Sequence, residues 1–259
     1  MTPELAAKFS LAGRAAIVTG ASGALGARFA AVLAGAGASV ALAARRTGQM
    51  TALRDEILAR GGRAVVVGMD VTDTNSVVAG LAEAEAAFGP IDIVVNNSGV
   101  AEPGAALDQS DEDWARVFSV NLDGARRLSV AAVRRLVAAK KPGSIVNVAS
   151  ILGLRQGAGV TAYATSKAAL IQMTRQHALE WARHGVRVNA LAPGYIETDI
   201  NRDFFATEAG QAQIRRITQR RLGRPEELDG ALLLLASDAG SFMTGTALVV
   251  DGGHLVSPL

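Results

Sequence analysis

The chain has 259 residues, 49% of them apolar, with a mean hydropathy of +0.25 and a formal net charge of only +2. That size and apolar content suffice for one large α/β domain, and the pI of 9.3 reflects arginine titrating high rather than a cationic field for nucleic acid. There is no cysteine, which excludes disulfides and thiolate chemistry and suits a reducing cytoplasm.

The opening MTPELAAKFSLAGR lacks the apolar core of a signal peptide. Strand-like runs are predicted at 15–19, 39–44, 64–69, 91–96, 144–150, 187–192 and 246–251. Several are unbroken Val/Ile/Ala stretches, as expected where both faces of a parallel sheet are covered. Helical periodicity fills 24–35, 48–60, 74–88, 111–139, 160–184 and 225–237. The run from Phe29 to Ala44 carries no charge, but it is too short to span a membrane and is broken by Gly35, Gly37 and Ser39. It reads as a helix end, a turn and a strand, so no membrane partner is expected. The β-α alternation predicts a single-domain α/β fold, a doubly wound parallel sheet of about seven strands with helices on both faces, over 1–259. Only 197–223 interrupts the rhythm. It is polar and arginine-rich, and its position suits a substrate lid. Its arginines 215, 216, 220, 221 and 224 read either as a hold for an anionic substrate or as a solvated helix face.

The residues that carry chemistry come in the same order. Thr19-Gly20-Ala21-Ser22-Gly23-Ala24-Leu25-Gly26 follows the first predicted strand and opens a helix, the context in which a glycine turn cradles a pyrophosphate. The second strand ends in Ala44-Arg45-Arg46, where an acid would hold ribose hydroxyls and an arginine would pair with an extra phosphate. Asp70-Val71 follows the third strand, and Asn96-Asn97-Ser98-Gly99 the fourth; by itself Asp70 also reads as a helix cap. Ser150 ends the fifth strand, and thirteen residues on Tyr163 begins Tyr-x-x-x-Lys with Lys167. A lysine one helical turn from a tyrosine shares its face, and its charge is expected to draw the phenol down from a pKa of ~10 toward neutrality. Ser150 would hold the oxygen that the phenol protonates. Taken singly, Ser150 also reads as a strand terminus, Tyr163 as a buried aromatic and Asn121 as a helix residue that satisfies backbone. His177, His184 and His254 show no metal-ligand spacing, so no catalytic metal is expected.

Together these motifs resemble the short-chain dehydrogenase/reductase family over nearly the whole chain. Ala24 stands where that family's Thr-Gly-x-x-x-Gly-x-Gly has its middle glycine, and Ser98 where Asn-Asn-Ala-Gly has alanine. The resemblance implies a Rossmann-type fold and a catalytic tetrad of Asn121, Ser150, Tyr163 and Lys167. Asn121 would position a water that replenishes the proton. A cofactor would be held by Gly20, Ser22, Ala24, Leu25, Gly26, Arg45, Arg46, Asp70, Val71, Asn97 and Gly99. At its nicotinamide end it would meet Tyr163, Lys167, Pro193, Gly194, Ile196 and Thr198. With Ala44 at the acidic position and Arg45 next, NADP(H) is favoured over NAD(H). The expected reaction is ketone to secondary alcohol and back. A 3-oxoacyl-carrier-protein reductase and a sugar or polyol dehydrogenase are alternatives, and a dinucleotide-binding sensor is the non-enzymatic one. Ala101, Leu152, Gln156, Tyr195 and 201–205 are expected to line the pocket, and their apolar bias suggests a mostly uncharged small-molecule substrate. A cytoplasmic homotetramer or homodimer is implied.

Overall fold

The computed structural model describes residues 2–198 and 201–256. Seven parallel strands form one sheet: β1 (Ala15–Thr19), β2 (Ser39–Ala44), β3 (Arg63–Gly68), β4 (Ile93–Asn96), β5 (Gly143–Val148), β6 (Val186–Pro193) and β7 (Ala247–Val250), in the order β3-β2-β1-β4-β5-β6-β7. Alternate residues of β1 serve opposite faces, as a strand's period of two requires. Ala16 and Val18 join a core with Phe29 and Leu33 of α2 (Ala24–Gly35), Ile57 of α3 (Thr51–Ala59) and Leu232 and Leu235 of α10 (Asp229–Ala236). Ala15 and Ile17 join the other core, with Val77 and Leu81 of α4 (Thr74–Phe88), Leu128 and Leu136 of α6 (Ala125–Ala139) and Ala178 of α7 (Thr161–Trp181). Both faces are therefore covered, which is why the strands read as unbroken apolar runs. The chain winds outward from β1 to β3 and then returns to β4, so the order reverses between β1 and β4. Open α/β sheets bind ligands in the crevice at the carboxyl ends of such a pair.

The departures from the predicted elements have local causes. A short exposed helix, α1 (Pro3–Phe9), precedes β1; Thr2 caps it through its side chain and Pro3 supplies its first turn. The helix predicted over 111–139 divides into α5 (Asp111–Phe118), a π-helical turn Ser119–Gly124, and α6. Apolar periodicity runs through both halves and hides the break. A Cβ on Gly124 would lie 2.8 Å from the Val71 side chain, so the glycine lets the π turn press against the end of the third strand's loop. Within 197–223 lie α8 (Arg202–Ala206) and α9 (Glu208–Ile214). The helix predicted from 225 begins as a 3-10 turn, Pro225–Leu228, before α10. The fifth strand stops at Val148, two residues short of Ser150, which is extended and starts a 3-10 turn.

Candidate active site

At the carboxyl ends of β1, β2 and β4 lies a crevice of about 460 Å³. Gly20, Ser22, Ala24, Leu25, Gly26, Arg45, Arg46, Asp70, Val71, Asn97, Gly99 and Thr198 line it, as expected. Gly23, Ala44, Met69, Ser98, Val100 and Val120 line it too, though none was among the expected cofactor contacts, and so does Asn201, which was expected at the substrate pocket. Gly20 has φ +65°, and a Cβ on Gly26 would lie 2.7 Å from Asn97 Nδ2 and closer still to the Gly20 carbonyl. Both positions need glycine, and the turn closes tightly on the start of α2. Gly23 is the N-cap of α2 and has no side chain to satisfy the first amides. Those amides and the helix dipole fit a pyrophosphate. Ala24 is exposed, so its methyl group does not close the turn.

Asn97 has a different task from direct cofactor contact through its amide. Its Nδ2 donates to the carbonyls of Thr19 (3.0 Å) and Gly20 (3.3 Å), and thereby holds the glycine turn. The Thr19 hydroxyl accepts from the amides of Asn97 and Ser98 at 3.0 and 3.1 Å. Asp70 is not the cap of α4; Asp73 is. The Asp70 carboxylate accepts from the amide and hydroxyl of Thr72 at 2.9 and 2.7 Å. The backbone bond leads in lowering its pKa, and Arg45 and Arg127 add charge. Pro193, Gly194 and Ile196 are not among the crevice-lining residues. Gly194 instead lets β6 approach the end of β7, since its Cβ would lie 2.7 Å from Asp251 Cα. Ile196 is buried and forms a β-bridge with Gly223.

The crevice borders the expected reaction centre at Gly99. Ser150 Oγ accepts the Leu152 amide at 3.1 Å and also reaches the Tyr163 phenol. A Cβ on Gly153 would lie 2.7 Å from the Lys167 carbonyl carbon, so this glycine lets the Ser150 turn sit hard against α7. Lys167 is 4% exposed, donates to the Val148 carbonyl at 2.8 Å and stands 5.6 Å from the Tyr163 ring centroid. A Cβ on Gly99 would be 3.5 Å from both Lys167 Nζ and Asn121 Oδ1, so crevice, lysine and asparagine meet at one place. Asn121 Nδ2 donates to the Val100 carbonyl (2.9 Å) and Ser166 Oγ (3.0 Å), and Oδ1 accepts the Val100 amide at 2.8 Å. One acceptor lone pair of Oδ1 is left for a water.

The electrostatics correct one expectation. Burial raises the Tyr163 pKa, and the Ser150 hydrogen bond only partly offsets this. Burial likewise lowers Lys167, to about 8. The i,i+4 spacing brings the two side chains together, but both are desolvated, and desolvation disfavours each charged form before their attraction acts.

A second cavity of about 770 Å³ opens beside the centre. Leu152, Gln156, Tyr195 and Phe204 line it as expected, whereas Ala101, Arg202, Asp203 and Phe205 do not; Asn201 falls on the crevice side. Arg155, Gln213, Arg216 and His254 line it as well. Sequence reasoning did not single out Arg155 or Gln213, weighed His254 only as a metal ligand and offered Arg216 as a hold for an anionic substrate; only the fold carries the chain's end back to this cavity. Tyr195 ties it together, with ring centroids 5.3 Å from His254 and 5.5 Å from Phe205. Among the described residues, no group of three or more His, Asp or Glu is gathered to hold a metal ion, and no helix is long and apolar enough to cross a membrane.

Residues 20–254 match the protein family described as enoyl-(acyl carrier protein) reductase. The cis-4-hydroxycyclohexanecarboxylate dehydrogenase of Sinomonas cyclohexanicum is 42% identical over 253 residues, which cover 95% of this chain and 98% of that protein. The crystal structure of a short-chain type dehydrogenase/reductase from Mycobacterium marinum superposes with a TM-score of 0.91 at 38% identity, covering 95% of this chain and 97% of that one. A gluconate 5-dehydrogenase from Burkholderia cenocepacia J2315, crystallised with NADP and tartrate, superposes with a TM-score of 0.93 at 33% identity, covering 98% of this chain and 100% of that one.

Proposed function

The chain belongs to the short-chain dehydrogenase/reductase family, whose members act on CH–OH groups with a nicotinamide cofactor, and from that premise we propose an NADP(H)-dependent enzyme that interconverts a ketone and a secondary alcohol, with Tyr163 as its acid and base. The observation that carries this reading is that Lys167 and Asn121 meet beside Gly99 of the crevice, while Tyr163 stands next to Lys167 and bonds Ser150, whose turn reaches the 770 Å³ cavity through Leu152. When bound, the nicotinamide supplies the hydride in reduction and accepts it in oxidation. Tyr163 holds a proton at its phenol oxygen and donates it to the substrate's carbonyl oxygen, and it takes that proton back in oxidation. The Ser150 hydroxyl donates a hydrogen bond to the same oxygen as its charge grows. Lys167 presents its ammonium beside the phenol, where it favours the phenolate once formed and can hold a ribose hydroxyl. Asn121 is assigned the water that relays protons to Lys167.

Support for NADP(H) comes from Arg45, which follows β2 directly and lines the crevice. Asp70 is the one carboxylate among the lining residues, and it belongs to the loop after β3 rather than to the end of β2. The related gluconate 5-dehydrogenase was crystallised with NADP. Segment 197–223 is assigned the role of a lid, since Thr198 lines the crevice and Phe204 the cavity. A cytoplasmic homotetramer or homodimer goes with this reading. Its support is a groove on α6 and α7 where Val130, Val133, Val137, Leu179 and Trp181 lie among Arg134, Glu180 and Arg183, with Leu179 77% exposed.

The test is a spectrophotometric assay of NADPH oxidation against a panel of ketones. Tyr163→Phe should lower kcat by about 10²–10⁴-fold while NADPH still binds. Substantial residual turnover would remove the acid–base assignment. Arg45→Ala should raise KM for NADPH by about 10-fold or more, the loss of one charge-assisted pair, and leave NADH nearly unchanged. Equal effects on both cofactors would overturn the preference for NADP(H).

A further inference from the structure

Resting on the oxidoreductase reading above, we infer that the substrate is a hydroxy or oxo acid whose carboxylate is held by Arg155 and Arg216, across the cavity from Ser150 and Tyr163. The cavity's walls carry two arginines and no carboxylate. Of the six arginines in or beside the lid (202, 215, 216, 220, 221 and 224), only Arg216 lines it. Arg221 is taken up by a bidentate pair with Glu227 at 2.7 Å, which Arg224 joins at 3.9 Å. Arg220 donates to the Arg215 carbonyl. Among the described residues, no acid pairs with Arg216 or Arg155. Arg155 is steadied by donating to the His254 carbonyl, which fixes one edge of its guanidinium. Asp251, whose charge bears on His254, is spent on the backbone, accepting from the amides of Gly253 (2.8 Å) and Leu255 (2.7 Å).

The charge stands at the right end of the cavity for such a substrate. Tyr195 lines the cavity with Arg155 and Arg216 and lies within electrostatic reach of both, as well as of Tyr163. Leu152 joins the cavity wall directly to Ser150, whose Oγ accepts its amide. A molecule with its carbonyl oxygen at Ser150 and Tyr163 therefore extends past Tyr195 toward the two guanidinium groups. His254 adds an independent sign of a built polar end. It lines the cavity, is 6% exposed, and its buried Nδ1 has no hydrogen-bond partner. Buried polar atoms are rarely left so without a ligand or water to meet them. The uncharged substrate suggested by the sequence thus gives way to an acid, because the polar groups come from segments far apart in the chain.

The experiment compares 4-oxocyclohexanecarboxylate and 5-oxohexanoate with their methyl esters, each with NADPH and with NADH. The wild-type enzyme should prefer each acid over its ester, and Arg216→Gln should raise KM for the acids by about 10–100-fold, as for loss of a charge-assisted bond, and affect the esters far less, so that the preference for acids is lost. Arg216 is solvent-exposed and bonded to no other side chain, so this variant keeps the fold. Arg155→Lys tests the second arginine while keeping its charge, and should cost the acids less than Arg155→Gln does. Esters turned over as well as acids, with Arg216→Gln neutral, would overturn the carboxylate inference and leave the oxidoreductase standing. No turnover of acid, ester or simple ketone with either cofactor would instead bring down the oxidoreductase reading itself.

Discussion

Lys167 is a buried ammonium with a carbonyl for a partner and no carboxylate, an arrangement that costs stability. Its pKa falls from 10.5 to about 8. Between those values the unfolded chain binds more protons than the folded one, so this group's contribution makes stability rise with pH from about 8 to 10.5, while below 8 the full penalty persists. At neutral pH a shift of that size corresponds to roughly 3 kcal/mol, against about 1–2 kcal/mol for stranding the Val148 carbonyl if the lysine is replaced. Lys167→Met should therefore be more stable than wild type at pH 7 by about 1–2 kcal/mol, and the gap should close toward pH 10.5, while turnover is lost. Urea melts at pH 7 and 10 check this; a variant less stable at pH 7 would mean that the lysine is held favourably in the fold. The sequence displayed the i,i+4 spacing of Tyr163 and Lys167 but not their burial, and burial decides the direction in which each one titrates. A stabilising substitution at a position needed for turnover is the signature of strain retained for function.

Elements built on a regular period were legible; those built on a local exception were not. The seven strands, the glycine turn and helices α2, α4 and α7 follow from apolar runs and spacing. The π turn Ser119–Gly124 does not, because the apolar stripe continues through it and only the contact of Gly124 with Val71 reveals the close approach. That turn sets the angle from which Asn121 reaches Val100 and Ser166, so a feature invisible to periodicity positions a residue that a motif had already singled out. The role of Asn97 was likewise half legible. The motif placed it beside the cofactor, and the structure gives its amide to the turn of β1 and α2. Gly26 is where turn and helix constrain each other most. An added Cβ would meet the Gly20 carbonyl and the Asn97 amide, which are backbone and a side chain already bonded, so neither can yield cheaply. Gly26→Ala should weaken cofactor binding by about 10-fold or more and destabilise the chain by about 1–3 kcal/mol. Fluorescence titration with NADPH and a thermal melt measure the two effects, and unchanged affinity would show that the turn can open without loss.

At the scale of the molecule, sites that recombine distant segments lie beyond what local pattern can report. The cavity draws on residues near 104, 155, 195, 216 and 254, and the crevice on the ends of four strands together with Thr198 and Asn201 beyond β6. The latter two belong to the stretch that begins the proposed lid, so cofactor and lid share a wall. Asn201 stiffens that wall, its Oδ1 accepting the Thr198 amide at 2.9 Å and its Nδ2 donating to the Ile196 carbonyl at 2.8 Å. A ligand that touches this wall stabilises the lid's anchor as well as the strand ends. At a concentration of 100 Kd, a cofactor that binds only the folded state adds about 2.7 kcal/mol. For a chain of this size each kcal/mol moves Tm by about 2–4 °C, so NADPH should raise Tm by roughly 5–11 °C. NADH at the same concentration should raise it much less if Arg45 reads the extra phosphate. Hydrogen exchange separates a general gain from a directed one. With NADPH bound, amides at 201–223 should be protected along with those of the glycine turn, whereas the exposed α1, which lines neither site, should exchange as before. Protection confined to the turn would show that crevice and lid are energetically independent, and that closure over the substrate must be driven from the cavity by the substrate alone.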